Sequence, residues 1–288
     1  MKTKIFSDQH REQLNTFITH ALSEDIGPAD HSTLSTIALH AKGSAQLWVK
    51  ADGVLAGIEL AQMIFHALDK EMVVNTHVND GDLVSSGTLA CTVSGSIHAL
   101  LSAERVVLNC MQRMSGIATL TRAFQEKIAH TSCRVLDTRK TTPNFRIPEK
   151  WAVHLGGGVN HRFGLYDAIM IKDNHIDFNE SIEAAVNSCK AYLRQNNLSL
   201  SVIVETRNID EVQQCVAVGG MDRILLDNMT PKHIKESLAI IPETMGTEAS
   251  GNIHIDNVVE YAETGVDFVS VGALTHSATP LDMSLLSS

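Results

Sequence analysis

From residue 134 onward the chain repeats one pattern: a short apolar run, a polar or ionic end, then a helical stretch. The runs are Arg134-Val135-Leu136-Asp137-Thr138-Arg139, Ala168-Ile169-Met170-Ile171-Lys172-Asp173 and Val202-Ile203-Val204-Glu205-Thr206. Three more follow, Arg223-Ile224-Leu225-Leu226-Asp227-Asn228, Thr247-Glu248-Ala249-Ser250-Gly251-Asn252 and Phe268-Val269-Ser270-Val271-Gly272. Helical patterns at 179–194, 209–218, 231–240 and 256–264 separate them. Apolar strands alternating with helices predict consecutive βα units on a parallel sheet. Six units without a dinucleotide-binding glycine fingerprint favour a closed or nearly closed α/β barrel over an open Rossmann sheet.

The ends of those runs carry Arg139 and Lys140, Lys172, Glu205, Asp227, Ser250 and Gly272. In α/β barrels the active site is assembled at the C-terminal face from several strand ends. Four cations (Arg139, Lys140, Arg162, Lys172) and two carboxylates (Glu205, Asp227) would therefore converge. The chain has a net charge of -10. An acidic protein that gathers cations at one point suits a small, strongly anionic ligand, whereas nucleic acid favours a broad basic face. Arginine and lysine fit carboxylate or phosphate groups. Two carboxylates facing the same polyanion repel it unless a hard divalent cation lies between, which points to Mg²⁺ bridging Glu205 and Asp227 to a phosphate-bearing substrate. The alternative is a set of internal salt bridges closing the barrel end. The run Gly156-Gly157-Gly158 either lets backbone amides approach a phosphate or is a flexible loop.

The first third reads differently. Residues 8–25 predict a helix on Leu14, Phe17, Ile18, Ala21 and Leu22, ended by turn residues at 24–30. Strands are expected at 44–51, 72–78 and 88–93, with a helix on Ile58, Ala61, Met63, Ile64, Ala67 and Leu68 between the first two. Together they predict a small mixed sheet covered on one side by helices. A helix starts at Ser96 with a core stripe of Ile97, Leu100, Leu101, Leu108, Met111 and Met114; Ser115-Gly116 is expected to break it before a second helix to about residue 129. Arg105 falls off that stripe and stays available to a ligand or to the surface.

Several classes are disfavoured. No apolar run approaches the ~18–20 residues needed to cross a bilayer, and Met1 to Asp8 lacks the apolar core of a secretory signal. The expectation is a cytoplasmic protein with no membrane or nucleic-acid partner. The five cysteines, Cys91, Cys110, Cys133, Cys189 and Cys215, form no Cys-x-x-Cys pair and lie in apolar contexts, so buried structural thiols are expected. The fourteen histidines form no His-Glu-x-x-His motif. Trp48 and Trp151 read as packing residues.

Thr138-Arg139-Lys140-Thr141-Thr142-Pro143 is followed by Lys150-Trp151-Ala152-Val153-His154-Leu155-Gly156-Gly157-Gly158, Asn160-His161-Arg162 and Asp167 to His175. With Glu205-Thr206, Leu226-Asp227-Asn228, Ser250-Gly251-Asn252 and Asp267 to Ala273, the chain resembles the quinolinate phosphoribosyltransferase family. Leu101 to Asn109 and Ser115 to Thr119 fit the same family, so the resemblance spans essentially the whole chain. It implies an N-terminal α/β sandwich domain (1–114), an incomplete α/β barrel (115–274) and a C-terminal return to the first domain (275–288).

The resemblance also implies a homodimer in which each active site is completed by the neighbouring subunit, with further assembly left open. Arg105 would reach into the partner's site. Arg139, Lys140, His161 and Arg162 would surround the two carboxylates of quinolinate, with help from Arg105, and Thr138 is also assigned to substrate binding. Lys172, Glu205 and Asp227 would hold phosphoribosyl pyrophosphate and its Mg²⁺, while Ser250, Gly251, Asn252, Val271 and Gly272 would line the 5′-phosphate end, with His276 near it; Ala273 is also assigned to substrate binding. Lys140, Lys172, Glu205 and Asp227 are the residues assigned to catalysis. The implied products are nicotinate mononucleotide, CO₂ and pyrophosphate, a step of NAD biosynthesis. The rivals are a Schiff-base aldolase using Lys172, a diverged phosphoribosyltransferase with another acceptor, and a metabolite-binding regulator that kept the pocket.

Overall fold

The structure is a computed structural model and describes residues 8–288; the Met1–Ser7 segment read for a missing signal lies outside the described residues. The chain divides into two compact units. One takes residues up to Arg122, Thr141–Gly157 and Leu274–Ser288; the other takes Ala123–Lys140 and Gly158–Ala273.

The first unit begins with α1 (Asp8–Ile26), α2 (His31–Thr36), β1 (Lys42–Val49), β2 (Gly53–Val54), α3 (Ile58–Leu68), β3 (Val73–Thr76), β4 (Leu83–Val84), β5 (Leu89–Ser96) and most of α4 (Ile97–Lys127), whose last turn belongs to the second. The amphipathic spacing of α1 buries Leu14, Ile18 and Leu22, and that of α3 buries Ile58, Ala61 and Ile64. Asp30 caps α2 by accepting from the Thr33 N–H at 3.0 Å.

The second unit supplies β6 (Arg134–Leu136), then, after α5 (Arg146–Leu155) of the first unit, β7 (Ala168–Ile171), α6 (Asp173–Phe178), α7 (Ile182–Gln195), β8 (Ser201–Thr206) and α8 (Ile209–Val218). Next come β9 (Arg223–Asp227), α9 (Pro231–Leu238), β10 (Gly246–Ser250), α10 (Val258–Ala262) and β11 (Phe268–Ser270), before α11 (Ala273–His276) and β12 (Met283–Ser287) close the chain.

The expected mixed sheet is a four-stranded, wholly antiparallel one, ordered β12-β1-β5-β3. Its fourth strand is the C-terminal β12, whose distance in sequence hides it from any local reading. A second small ribbon, β2 with β4, is too short to leave a period-two signal.

The expected break at Ser115-Gly116 does not occur, and α4 runs unbroken for 31 residues. Both residues have packing roles instead. Ser115 Oγ accepts from the Ala56 N–H at 2.8 Å and donates to the Ala56 carbonyl at 3.1 Å. A Cβ on Gly116 would collide with the Thr279 carbonyl oxygen, so this glycine allows close backbone approach rather than ending a helix. Gly116→Ala is expected to destabilise the protein by about 1–3 kcal/mol through overpacking, despite the ~1 kcal/mol that alanine gains over glycine in a helix. Urea unfolding measures it, and a raised midpoint would refute the close-approach reading. The stripe itself is buried at Leu100, Leu108, Met111 and Met114, but Leu101 is exposed. Trp151 is buried and Trp48 half-buried.

The second unit is one six-stranded parallel sheet ordered β6-β11-β10-β9-β8-β7. From β7 to β11 sequential strands are neighbours, and the last, β11, pairs with the first, β6. Among the described residues no strand pairing joins β6 to β7, and only Val159 bridges to Leu136 beside that opening. The fold is an incomplete α/β barrel. Register sets which residues face its interior. Glu205, Leu225, Glu248 and Phe268 lie in one row across β8 to β11. Their odd-even partners Val204, Ile224, Leu226, Ala249 and Val269 are fully buried on the opposite face, towards the helices. Among the described residues no helix is long and apolar enough to cross a membrane.

Burial pushes the thiols of Cys91, Cys110, Cys133 and Cys215 up to about 12, leaving them as small hydrophobes. Cys189 departs from expectation and is only half-buried.

Candidate active site

Lys172, Glu205 and Asp227, which the charge pattern singled out, lie at or just past the C-terminal ends of neighbouring barrel strands. Lys172 follows β7 directly, and its Nζ lies 2.7 Å from Glu205 Oε2. The Lys172 side chain is 45% exposed and that of Glu205 only 9%, so the carboxylate is the buried member of the pair. Glu205 stays a strand residue of β8 because its interior-facing position lets it leave the apolar outer face to Val204 and Thr206. The Lys172 N–H donates to His175 Nδ1 at 2.9 Å, which gives His175 a capping role on α6. His154 sits exposed in the last turn of α5.

Asp227 ends β9 and is paired in register with Ser250, which ends β10. Beyond them the two chain segments are laced together. Asn228 donates its N–H to the Ser250 carbonyl at 2.8 Å and its Nδ2 to Asp227 Oδ2 at 2.6 Å, and Asn252 Nδ2 donates to Asn228 Oδ1 at 3.1 Å. Gly251 has φ +94, and a Cβ there would collide with the Asn228 amide; only glycine fits this turn without strain. Val271 is buried, while Gly272 and Ala273 are half-buried at the start of α11.

Past β6, Thr138 Oγ1 accepts from the Lys140 N–H at 3.0 Å, and Arg139 and Lys140 are exposed. Arg162 Nη1 donates to the Ala168 carbonyl at 3.0 Å. Burial first, then the positive charge of Arg139, lowers the pKa of the Arg162 guanidinium. Two arginines close enough to repel form a ready acceptor for a dianion.

His161 differs from the rest. Its side chain is 6% exposed, and its Nε2 lies 3.3 Å from Glu248 Oε2. Glu248 also accepts from Arg223 Nη1 at 2.9 Å and from the Ser270 hydroxyl. The Arg223 guanidinium stacks 4.3 Å from the centre of the Phe268 ring. Burial by itself would raise the Glu248 carboxyl, but His161, Ser270 and Arg223 together outweigh it and hold the group below the ordinary range. Sequence reasoning passed over Glu248, Arg223 and Asp137, which accepts the His161 N–H at 2.7 Å. A signal was present for one of them: Glu248 stands two positions before Ser250 and so shares its face.

Arg105 and His276 belong to the first unit. Arg105 is exposed on α4; His276 is exposed, with its Nδ1 2.5 Å from Ser277 Oγ. The glycine run begins as the end of α5, where the Gly156 N–H donates to the Ala152 carbonyl at 3.0 Å.

The sequence matches two family models, "Quinolinate phosphoribosyl transferase, N-terminal domain" over residues 30–115 and "Quinolinate phosphoribosyl transferase, C-terminal domain" over residues 117–286. It is 44% identical over 287 residues to the quinolinate phosphoribosyltransferase (decarboxylating) 1b of Nicotiana tabacum, covering 94% of this chain and 81% of that one. It is 43% identical to the chloroplastic nicotinate-nucleotide pyrophosphorylase (carboxylating) of Arabidopsis thaliana, covering 94% of this chain and 82% of the relative. The crystal structure of NadC from Streptococcus pyogenes superposes with a TM-score of 0.90 at 39% identity, over 96% of this chain and 98% of that one. Matches of this extent to both domain models leave one assignment: the chain belongs to the quinolinate phosphoribosyl transferase family.

Proposed function

We propose that this chain transfers the phosphoribosyl group of phosphoribosyl pyrophosphate to quinolinate with loss of CO₂, as an Mg²⁺-dependent cytoplasmic homodimer. The observation that carries the reading is that cations and carboxylates follow neighbouring strands of the barrel. The arginines Arg139 and Arg162 stand near enough to repel, and the Lys172–Glu205 pair with Asp227 occupies the neighbouring strand ends.

The chemistry follows from those charges. Arg139, Lys140 and Arg162 hold the two carboxylates, so that the pyridine nitrogen points at C1′ of the ribose. The N–C1′ bond forms as the C1′–O bond to pyrophosphate breaks, and its electron pair leaves with the pyrophosphate. Lys172 offers that leaving group a cation at the moment its charge develops. The ring nitrogen is then quaternary and draws electrons, so the bond to the 2-carboxylate breaks, CO₂ departs, and a proton takes its place on carbon. Positioning two anions that repel each other is the main work of the protein, and no nucleophilic side chain is required. The turn of Ser250, Gly251 and Asn252, with Val271 and Gly272, is assigned to the 5′-phosphate.

Glu205 and Asp227 offer carboxylate oxygens and no nitrogen or sulfur, a donor set that suits a hard cation. Among the described residues no group of three or more His, Cys, Asp or Glu is arranged to hold a metal. Mg²⁺ would arrive with the substrate phosphates and keep several waters. When bound, it would neutralise charge on the departing pyrophosphate.

The decisive assay supplies phosphoribosyl pyrophosphate and Mg²⁺ with either quinolinate or nicotinate and follows CO₂ and pyrophosphate. Release of both with quinolinate alone is expected, and chelation of Mg²⁺ should stop it. Pyrophosphate release with nicotinate but not quinolinate would overturn the acceptor assignment, and full turnover in a chelator would overturn the metal. Cell fractionation tests the cytoplasmic placement.

A further inference from the structure

Glu149 has no part in the chemistry above, yet it is completely buried and holds the chain that leads away from the acceptor cations. We propose that Glu149 is a positioning residue for the acceptor half of the site: anchored by Arg113, it clamps Thr142 by both backbone and side chain and so restricts Lys140, two residues earlier. The inference rests on the phosphoribosyltransferase reading of the site.

An acidic residue in the first turn of a helix ordinarily caps that turn or faces its dipole. Glu149 lies in the first turn of α5 but reaches seven residues back along the chain. Its Oε2 accepts the Thr142 N–H at 3.0 Å, and its Oε1 accepts the Thr142 hydroxyl at 2.8 Å. From α4, Arg113 donates to the same Oε1 through Nε at 3.1 Å and Nη2 at 2.9 Å. The guanidinium is itself held in place, since Nη1 donates to the Ala278 carbonyl at 3.2 Å and Nη2 also to that of Thr275. Burying a carboxylate costs heavily without a partner of opposite charge, and Arg113 supplies one. The loop is fastened elsewhere too: Arg146 Nε donates to Thr141 Oγ1 at 2.9 Å, and the Phe145 N–H to the Thr142 carbonyl at 3.1 Å. Thr142, Pro143 and Asn144 are exposed, so these bonds rather than packing hold them. Two peptide units span at most about 7 Å, so fixing Thr142 limits where Lys140, and Arg139 before it, can stand. Charge-assisted bonds to a buried anchor are directional, as a site for a rigid dicarboxylate requires.

Two measurements on the full chain test this. In hydrogen–deuterium exchange, the amides of 139–145 should exchange about tenfold faster in Glu149→Gln than in wild type, while β7 to β11 are unchanged. Equal protection of that loop in both proteins overturns the clamp. In kinetics well below the unfolding temperature, Glu149→Gln should raise the KM for quinolinate about tenfold and leave the KM for phosphoribosyl pyrophosphate unchanged. An equal rise in both, which general loosening of the fold would give, or no rise at all, overturns the positioning role. Thr142→Val keeps the Glu149–Arg113 pair and removes only the hydroxyl bond; it should raise the same KM about threefold and speed exchange of the loop. If Glu149→Gln does not fold, Thr142→Val decides, and the absence of both effects there refutes the proposal. Wild-type protein that does not turn over quinolinate overturns the enzymatic reading, whereas exchange still reads the clamp on its own.

Discussion

Lys172→Met is expected to lower kcat/KM for quinolinate by about 10³-fold, or roughly 4 kcal/mol of transition-state stabilisation. Two losses add. The leaving pyrophosphate loses a cation placed at the strand end, and Glu205, whose side chain is 9% exposed, loses the partner 2.7 Å from its Oε2. A carboxylate left without that partner repels the phosphates it is assigned to serve. Lys172→Arg keeps the charge and should retain part of the activity, because the role is electrostatic. A Schiff-base enzyme would behave differently, since only a primary amine forms the adduct. Steady-state kinetics on both variants, with borohydride trapping of carbonyl compounds, separates the two. Covalent trapping on Lys172, or wild-type kinetics in Lys172→Met, would remove this residue from the proposed role.

Two inactive variants are expected to restore each other. Arg105 is exposed on α4 of the first unit, and the proposed homodimer has it complete the partner's site. Arg162 stands in the barrel beside Arg139. Arg105→Ala and Arg162→Ala should each lose nearly all turnover. Mixed and re-equilibrated in equal amounts, they should recover about one quarter of wild-type activity, because half the dimers are mixed and one of their two sites is whole. Recovery depends on the site being shared across a two-fold interface, so a monomer with its own complete site gives none. Confirmed mixed dimers without activity would refute the shared site.

Much of the barrel was legible because its signal is local. Each βα unit carries its own apolar run and its own amphipathic helix, so β8, α8 and β9 fall almost where periodicity puts them. The placement of Lys172, Glu205 and Asp227 was legible for a related reason: the C-terminal end of a parallel strand is a fixed address, and these three residues occupy it. The first unit was harder. Its sheet borrows β12 from the far end of the chain, and pairing across that separation leaves no mark on either segment. Gly116 was misread because a glycine in a helix has two uses, and only the neighbouring Thr279 backbone distinguishes a close approach from a break.

By itself, then, the sequence determined the class of fold, the face on which the charges meet and the family, because periodicity and motif order are properties of the chain. Only tertiary structure decided that the sheet of the first unit is antiparallel, that α4 is unbroken, and that the barrel opens between β6 and β7. It also decided the standing of Glu248 and His161. A carboxylate in the middle of a strand reads as an exposed charge until the register turns it inward. There Arg223, Ser270 and His161, from three other segments, satisfy it. Burial and partnership are relations between distant residues, and no single stretch of sequence contains them.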